Sequence, residues 1–215
     1  MLKINGFFKL KFDVFQSVFT FSLLTDKIVC IVGESGSGKS TFLKCISGLI
    51  IPSNGYLNIN DNIFYDSKKC LFVKPNLRKI GYVFQNPYLY PYMNVFENIT
   101  FALREENFGF NVQSLISFLN LNKIKKKSID NLSGGEKQRI CIAQVLFSGA
   151  KLVLLDEVLS NQDYNMKIKL ISLFKLLNDK RVMSFIYVSH DIKSLDRVSN
   201  FIIYIHKGKI CFMTD

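Results

Sequence analysis

An apolar run, Lys27-Ile28-Val29-Cys30-Ile31-Val32, leads directly into Gly33-Glu34-Ser35-Gly36-Ser37-Gly38-Lys39-Ser40. The chain then resumes at helical spacing through Thr41-Phe42-Leu43-Lys44-Cys45-Ile46-Ser47 and stops at Gly48, a C′ glycine. A short buried strand, a glycine-rich turn and a helix make the repeating unit of parallel α/β sheets. The turn also dictates chemistry. Glycines let the backbone wrap with its N–H groups aimed inward, at a helix N-terminus whose dipole favours anions. Lys39 adds a point charge suited to β- and γ-phosphates, and Ser40 a hydroxyl able to ligate Mg²⁺. The stretch from Gly33 through Glu34, Ser35, Gly36, Ser37, Gly38, Lys39 and Ser40 to Thr41 is therefore expected to hold a triphosphate.

Similar strands recur. Ile80-Gly81-Tyr82-Val83-Phe84, Lys151-Leu152-Val153-Leu154-Leu155-Asp156 and Val182-Met183-Ser184-Phe185-Ile186-Tyr187-Val188 are nearly continuous apolar segments, with helices predicted from Asp163 to Asn178 and from Asp191. Such strands imply parallel pairing with both faces covered. Leu2 to Phe12 and Ser17 to Leu24 instead alternate apolar and polar residues, as antiparallel strands do. Pro52-Ser53-Asn54-Gly55 predicts a turn into a strand from Tyr56 to Asn60, and the segment from Phe201 to Phe212 predicts a terminal hairpin. Residues 87 to 148 hold no clear strand but helical stretches such as Asn111 to Leu121 and Glu136 to Phe147. The expected fold class is α/β: a P-loop NTPase core with a mostly parallel sheet, an N-terminal antiparallel β layer and an inserted helical subdomain. One domain over residues 1–215 is expected, with 1–86 and 149–215 forming core and β layer and 87–148 the helical subdomain.

Composition excludes several classes. At 48% hydrophobic and 21% charged, a chain of 215 residues is neither disordered nor fibrous. Its longest apolar runs, such as Phe201-Ile202-Ile203-Tyr204-Ile205, fall well short of the ~20 residues that cross a bilayer. Met1-Leu2-Lys3-Ile4-Asn5-Gly6 lacks a signal-peptide core, so a cytoplasmic location is expected. Five widely spaced cysteines without a CxxC pair suggest neither a disulfide framework nor a zinc site. The net charge of +11 admits nucleic acid or an anionic membrane surface as partner. Only Lys123-Ile124-Lys125-Lys126-Lys127 is a tight cluster, however, and it lacks interleaved aromatics for stacking bases, so no nucleic-acid partner is expected.

A triphosphate site that does chemistry needs a carboxylate for Mg²⁺ and a group that activates water. Asp156-Glu157 supplies both at the C-terminal end of an apolar strand, where open α/β sheets bind ligands. Asp156 is expected to hold the metal through its water shell, and Glu157 to orient or deprotonate the water. Between the P-loop and these carboxylates stands Leu132-Ser133-Gly134-Gly135-Glu136-Lys137-Gln138-Arg139. Ser133 and the Gly134-Gly135 backbone open a helix, which makes a second anion-binding N-terminus without a lysine.

This octapeptide resembles the signature motif of ATP-binding cassette (ABC) ATPases. The resemblance continues at Gln85 in the Q-loop position, Ser160-Asn161-Gln162-Asp163 in the D-loop position and His190 of Val188-Ser189-His190-Asp191 in the switch position. It implies ATP and Mg²⁺ as cofactors, and a second cassette as partner. Ser133, Gly134, Gly135 and Glu136 of one cassette would then contact the γ-phosphate held by the P-loop of the other. Gln85 would touch Mg²⁺ with Ser40 and Asp156, and relay nucleotide state to the helical insertion. By the same resemblance His190 and Lys39 face the γ-phosphate, Glu157 is the catalytic base, and Asp163 works across the interface. In the family an aromatic upstream of the P-loop stacks on adenine; Phe8, Phe12 and Phe15 compete for that role, and Phe12 is the preferred choice.

The segment from Gln85 to Ile99 is similar to the stretch following the Q-loop in bacterial import cassettes, where it borders the groove for a permease's coupling helix. Its aromatics Phe84, Tyr88, Tyr90, Tyr92 and Phe96 fit a docking surface and ordinary core packing equally well. Val158 stands where the family usually has proline and Gln144 where it commonly has arginine, and neither change removes a group from the mechanism. No regulatory domain is expected after the terminal hairpin. The resemblance implies an ATP-hydrolysing subunit that energises a membrane ABC transporter, peripheral on the inner face of the membrane. Its partners would be integral-membrane permease subunits and, if it is an importer, a solute-binding protein, with an anion importer of the molybdate or sulfate type favoured. Two alternatives are a soluble ABC ATPase of another assembly, such as iron–sulfur cluster delivery, and a nucleotide-dependent adaptor that does not hydrolyse.

Overall fold

The apolar strands are explained by what their two faces touch. A computed structural model describes residues 2–11, 16–24, 28–103, 111–189 and 201–214. Among these the strands are β1 (Lys3–Lys11), β2 (Gln16–Leu24), β3 (Val29–Val32), β4 (Asn54–Ile59), β5 (Asn62–Asp66), β6 (Leu71–Phe72), β7 (Ile80–Val83), β8 (Leu152–Asp156), β9 (Ser184–Val188), β10 (Phe201–His206) and β11 (Lys209–Thr214). The helices are α1 (Lys39–Ser47), α2 (Val95–Phe101), α3 (Val112–Phe118), α4 (Gly134–Phe147) and α5 (Tyr164–Asp179). Side chains alternate faces along a strand. Cys30, Val153, Leu155, Phe185 and Tyr187 therefore pack into one core with α3, α4 and α5, while Val29, Ile31, Leu152, Leu154 and Ile186 pack into a second with α1 and the N-terminal strands.

The strands form one mixed sheet in the order β6-β5-β4-β1-β2-β11-β10-β3-β9-β8-β7. Its β10-β3-β9-β8-β7 block is parallel, as expected of strands buried on both faces. The β6-β5-β4-β1-β2 block is antiparallel. It is thus continuous with the core sheet, joined where β11 meets β2 at Lys209 and Val18. Strands β5 and β6 were not expected from the polar sequence around them. Asn60 and Asp61, at φ 49° and 63°, make the left-handed two-residue turn that folds β5 back on β4.

The segment 87–148 carries α2, α3 and α4, each opened by a side-chain cap. Asn94 and Glu97 form a capping box, Asn111 accepts from the Gln113 N–H, and Ser133 pairs with Glu136. Helix α1 is fixed at its far end by a residue distant in sequence. Arg78, buried to 4% exposure, donates from Nη1 to the carbonyls of Cys45 and Ile46 and from Nε to that of Val73. A cation at a helix C-terminus complements the dipole, so α1 is held electrostatically at the end opposite the glycine-rich turn. The helix expected from Asp191 lies outside the described residues.

Candidate active site

Helix α1 starts at Lys39, and its N-cap Gly38 sits at φ 103°, where a side chain would strain the turn. No side chain caps this end, so its first N–H groups are available to an anion. Gly33 is held by close approach: a Cβ there would lie 2.1 Å from the Ile205 carbonyl oxygen of β10. Gly36, at φ 76°, faces open space. Lys39, 4% exposed, donates to the carbonyl oxygens of Gly33 at 2.9 Å and Glu34 at 2.7 Å. An ammonium has three protons, so two position it against its own loop and one is left for a phosphate. Burial lowers its pKa below the ordinary value, while the charges of Glu157 and then Asp156 act to hold it up.

The carboxylates arrive on β8. Asp156 is 3% exposed and both its oxygens accept hydrogen bonds, Oδ1 from the Ser40 hydroxyl at 2.8 Å and Oδ2 from the Tyr82 hydroxyl at 2.8 Å. Glu157 adopts φ 54°, a conformation uncommon outside glycine. Its Oε2 accepts from Gln85 Nε2 at 2.9 Å. Ser35, Gly36, Gly38, Lys39, Ser40, Thr41, Gln85 and Glu157 line one cavity of about 330 Å³, together with Ser17 of β2. The cavity fits a nucleotide's phosphates with Mg²⁺. Among the described residues no group of three or more His, Cys, Asp or Glu forms an all-protein metal cage, and Mg²⁺ held by one carboxylate, a hydroxyl and substrate phosphates needs none. Ser37 Oγ is buried with no hydrogen-bond partner among the described residues, and Ser37 does not line the cavity.

The signature residues stand apart from this cavity, on α4. Ser133 Oγ accepts from the Glu136 N–H at 3.2 Å, and Glu136 Oε2 accepts from the Ser133 N–H at 2.8 Å. Helix α4 thus begins at Gly134, two residues earlier than expected, because the capping box draws Gly134 and Gly135 into its first turn. None of Ser133, Gly134, Gly135 and Glu136 lines the P-loop cavity of the same chain. Asp163 is the N-cap of α5, accepting from the Met166 N–H at 2.9 Å.

A family model described as "ABC transporter" matches residues 17–160. The chain belongs to the ABC transporter family. It is 34% identical to the molybdenum import ATP-binding protein ModC of Vibrio parahaemolyticus over 189 residues, which is 88% of this chain and 51% of that protein. It is 33% identical to the ModC of Brucella melitensis over 187 residues, covering 85% of this chain and 52% of the relative. The chain thus spans about half the length of the curated relatives it matches. Among solved structures it resembles the bacterial ABC transporter cassette MJ0796, described as dimeric, with a TM-score of 0.81 at 26% identity over 100% of this chain and 98% of that one. A second dimeric structure of MJ0796, in a post-hydrolysis state bound to ADP and Pi, matches with a TM-score of 0.80 at 25% identity, again over 100% and 98%.

Seen as an ABC cassette, the molecule separates the expected site residues into groups. Lys39, Ser40, Gln85, Asp156 and Glu157 converge on one cavity or its wall, whereas the signature and Asp163 do not join them within the chain. Phe8, one of three candidates for stacking on adenine, is fully buried against Phe21 and Phe42 and is thereby removed from that role. Phe12, Phe15 and His190 lie outside the described residues. Sequence reasoning missed Tyr82, because only the pairing of β7 with β8 brings it to Asp156. It also missed Gln138 and Gln162. Gln138 Nε2 donates to the Gln85 carbonyl at 3.1 Å, Gln162 Nε2 donates to the Gly135 carbonyl at 3.0 Å, and Arg139 Nη1 donates to Gln162 Oε1 at 2.8 Å. This buried network joins the Gln85 turn, the signature helix and the Asn161-Gln162 turn. Both glutamines stand inside the quoted motifs, but their burial is visible only in the fold.

Proposed function

We propose that this chain binds MgATP and hydrolyses it to power a membrane transporter, an importer of an oxyanion such as molybdate. The observation that carries the catalytic half is the meeting of Lys39 and Ser40 from the start of α1 with Asp156 and Glu157 from the end of β8. Ser40 and Asp156, with the amide oxygen of Gln85, would hold Mg²⁺, which when bound neutralises charge on the β- and γ-phosphate oxygens. Lys39 and the N–H groups of α1 orient and stabilise the phosphates electrostatically. Glu157 accepts a proton from the attacking water as its oxygen bonds to the γ-phosphorus; the bond to the bridging oxygen breaks and ADP leaves. By the family resemblance, His190 would contact the γ-phosphate. The reading of oxyanion import rests on similarity to ModC proteins over about half of their length.

The site requires a second cassette, in which Ser133 to Glu136 close over the phosphates from across an interface that Asp163 also reaches. The permease is proposed to seat in the groove of about 530 Å³ between α2 and α4, where Tyr88, Tyr90 and Phe101 are exposed around Leu89 and Val145. No helix among the described residues is long and apolar enough to cross a membrane, so attachment through such a partner suits a peripheral position on its inner face. Glu157→Gln tests the catalytic reading: nucleotide binding is retained, while steady-state phosphate release falls by at least ~10²-fold. Release at the wild-type rate would remove Glu157 from its role. Recovery of an oxyanion-stimulated ATPase with a co-purifying permease tests the transport reading.

A further inference from the structure

We propose that Tyr82 is a positioning residue for the metal carboxylate, holding Asp156 from the side opposite Ser40. The proposal rests on the MgATP reading of the site. Strands β7 and β8 pair in parallel with Tyr82 beside Leu154. Leu154 and Asp156 are two apart and share a face, so a tyrosine at position 82 extends along β8 to the carboxylate. Its hydroxyl meets Oδ2 at 2.8 Å while the Ser40 hydroxyl meets Oδ1 at 2.8 Å. The ring is itself braced, with Phe84 at 4.3 Å between centroids and Tyr88 beyond Phe84 at 5.3 Å.

The two grips differ in what else they do. Ser40 stands at the start of α1 and lines the phosphate cavity, so its oxygen has a second duty toward Mg²⁺. Tyr82 does not line that cavity, and among the described residues its hydroxyl is given to Asp156 alone. Two neutral donors leave the carboxylate its full charge and use two of its roughly four lone-pair sites, so the remainder would be left for the water shell of a metal. Without the phenol, a carboxylate 3% exposed would keep one anchor, shared with the metal, and one oxygen with its pairing lost. Residues that orient a metal ligand in this way characteristically set metal affinity.

The test uses the full chain as wild type, Tyr82→Phe and Tyr82→Met, with ADP bound and Mn²⁺ as the paramagnetic probe. Mn²⁺ titrations followed by electron paramagnetic resonance are expected to show a dissociation constant raised at least ~10-fold in both variants, with ADP affinity in EDTA within about two-fold of wild type. The methionine variant lacks the hydroxyl but fills the space flexibly, so it gives the same readout if Phe at this position disturbs folding. Unchanged Mn²⁺ affinity in either folded variant overturns the proposal. So does a parallel loss of ADP affinity in EDTA, which marks general damage rather than loss of metal positioning. A wild-type chain that binds Mn²⁺ no better with ADP than without overturns the MgATP reading as well, whereas normal wild-type behaviour with unchanged variants sinks the Tyr82 assignment alone.

Discussion

Glu157 and Gly48 show how single backbone conformations support the site. Glu157 holds φ 54° because its N–H donates to the Val188 carbonyl and its own carbonyl accepts from the Ser160 hydroxyl. The surroundings thus impose a conformation that a non-glycine residue rarely takes, and they aim the side chain at Gln85. Gly48 ends α1 at φ 82°, and a Cβ there would lie 2.6 Å from the Arg78 guanidinium. Gly48→Ala should therefore destabilise the fold by more than about 1 kcal/mol, through strain at positive φ and displacement of Arg78. Urea unfolding would measure it, and an unchanged midpoint would mean that Arg78 does not brace the helix.

Among elements, α4 starts at a capping box. Ser133→Ala removes the cap and should cost roughly 1 kcal/mol of stability, read from thermal or urea unfolding. Glu136 adds a pH dependence of known sign. Its carboxyl is held below the ordinary 4.5, first by the hydrogen bond from the Ser133 N–H and further by the Ser133 hydroxyl, Arg139 and Lys127, with burial acting the other way. A depressed acid contributes stability that is present above its unfolded value and lost as pH falls through the lower folded value. The difference in stability between wild type and Glu136→Gln should accordingly be present at neutral pH and shrink as pH drops below about 4.5. A difference that grows on acidification would contradict the capping geometry.

At the scale of the whole molecule, the start of α4, proposed above as a second phosphate contact, does not line the cavity at the start of α1 in the same chain, so ATP is expected to bind each cassette and glue two together. In the Glu157→Gln variant, ATP should convert monomer to dimer in analytical ultracentrifugation, and ADP should not. Persistent monomer would argue against a shared site. The groove between α2 and α4 is a distinct surface, with Tyr92 fully exposed nearby and Phe101 on its rim. Phe101→Glu, a surface change, should leave stability within about 0.5 kcal/mol and basal ATPase intact while abolishing co-purification with the proposed permease. Retained co-purification would move the docking surface elsewhere.

The sequence by itself determined the α/β class, the glycine-rich turn with Lys39 and Ser40 and the carboxylates at the end of β8. These are local patterns, in which neighbours along the chain supply both the strand period and the chemistry. The alternating strands β1 and β2 were legible for the same reason, and β5 was not, since its apolar face is short and surrounded by polar residues. Only the tertiary structure decided that Tyr82 meets Asp156, that Arg78 closes α1, that Gln138 and Gln162 join the signature helix to the Gln85 turn, and that Gly208 N–H holds the Ser37 carbonyl at 2.8 Å. Each of those contacts depends on which strands pair and in what register. Register is a property of the packed sheet, set by burying two faces at once, and no window of sequence contains it.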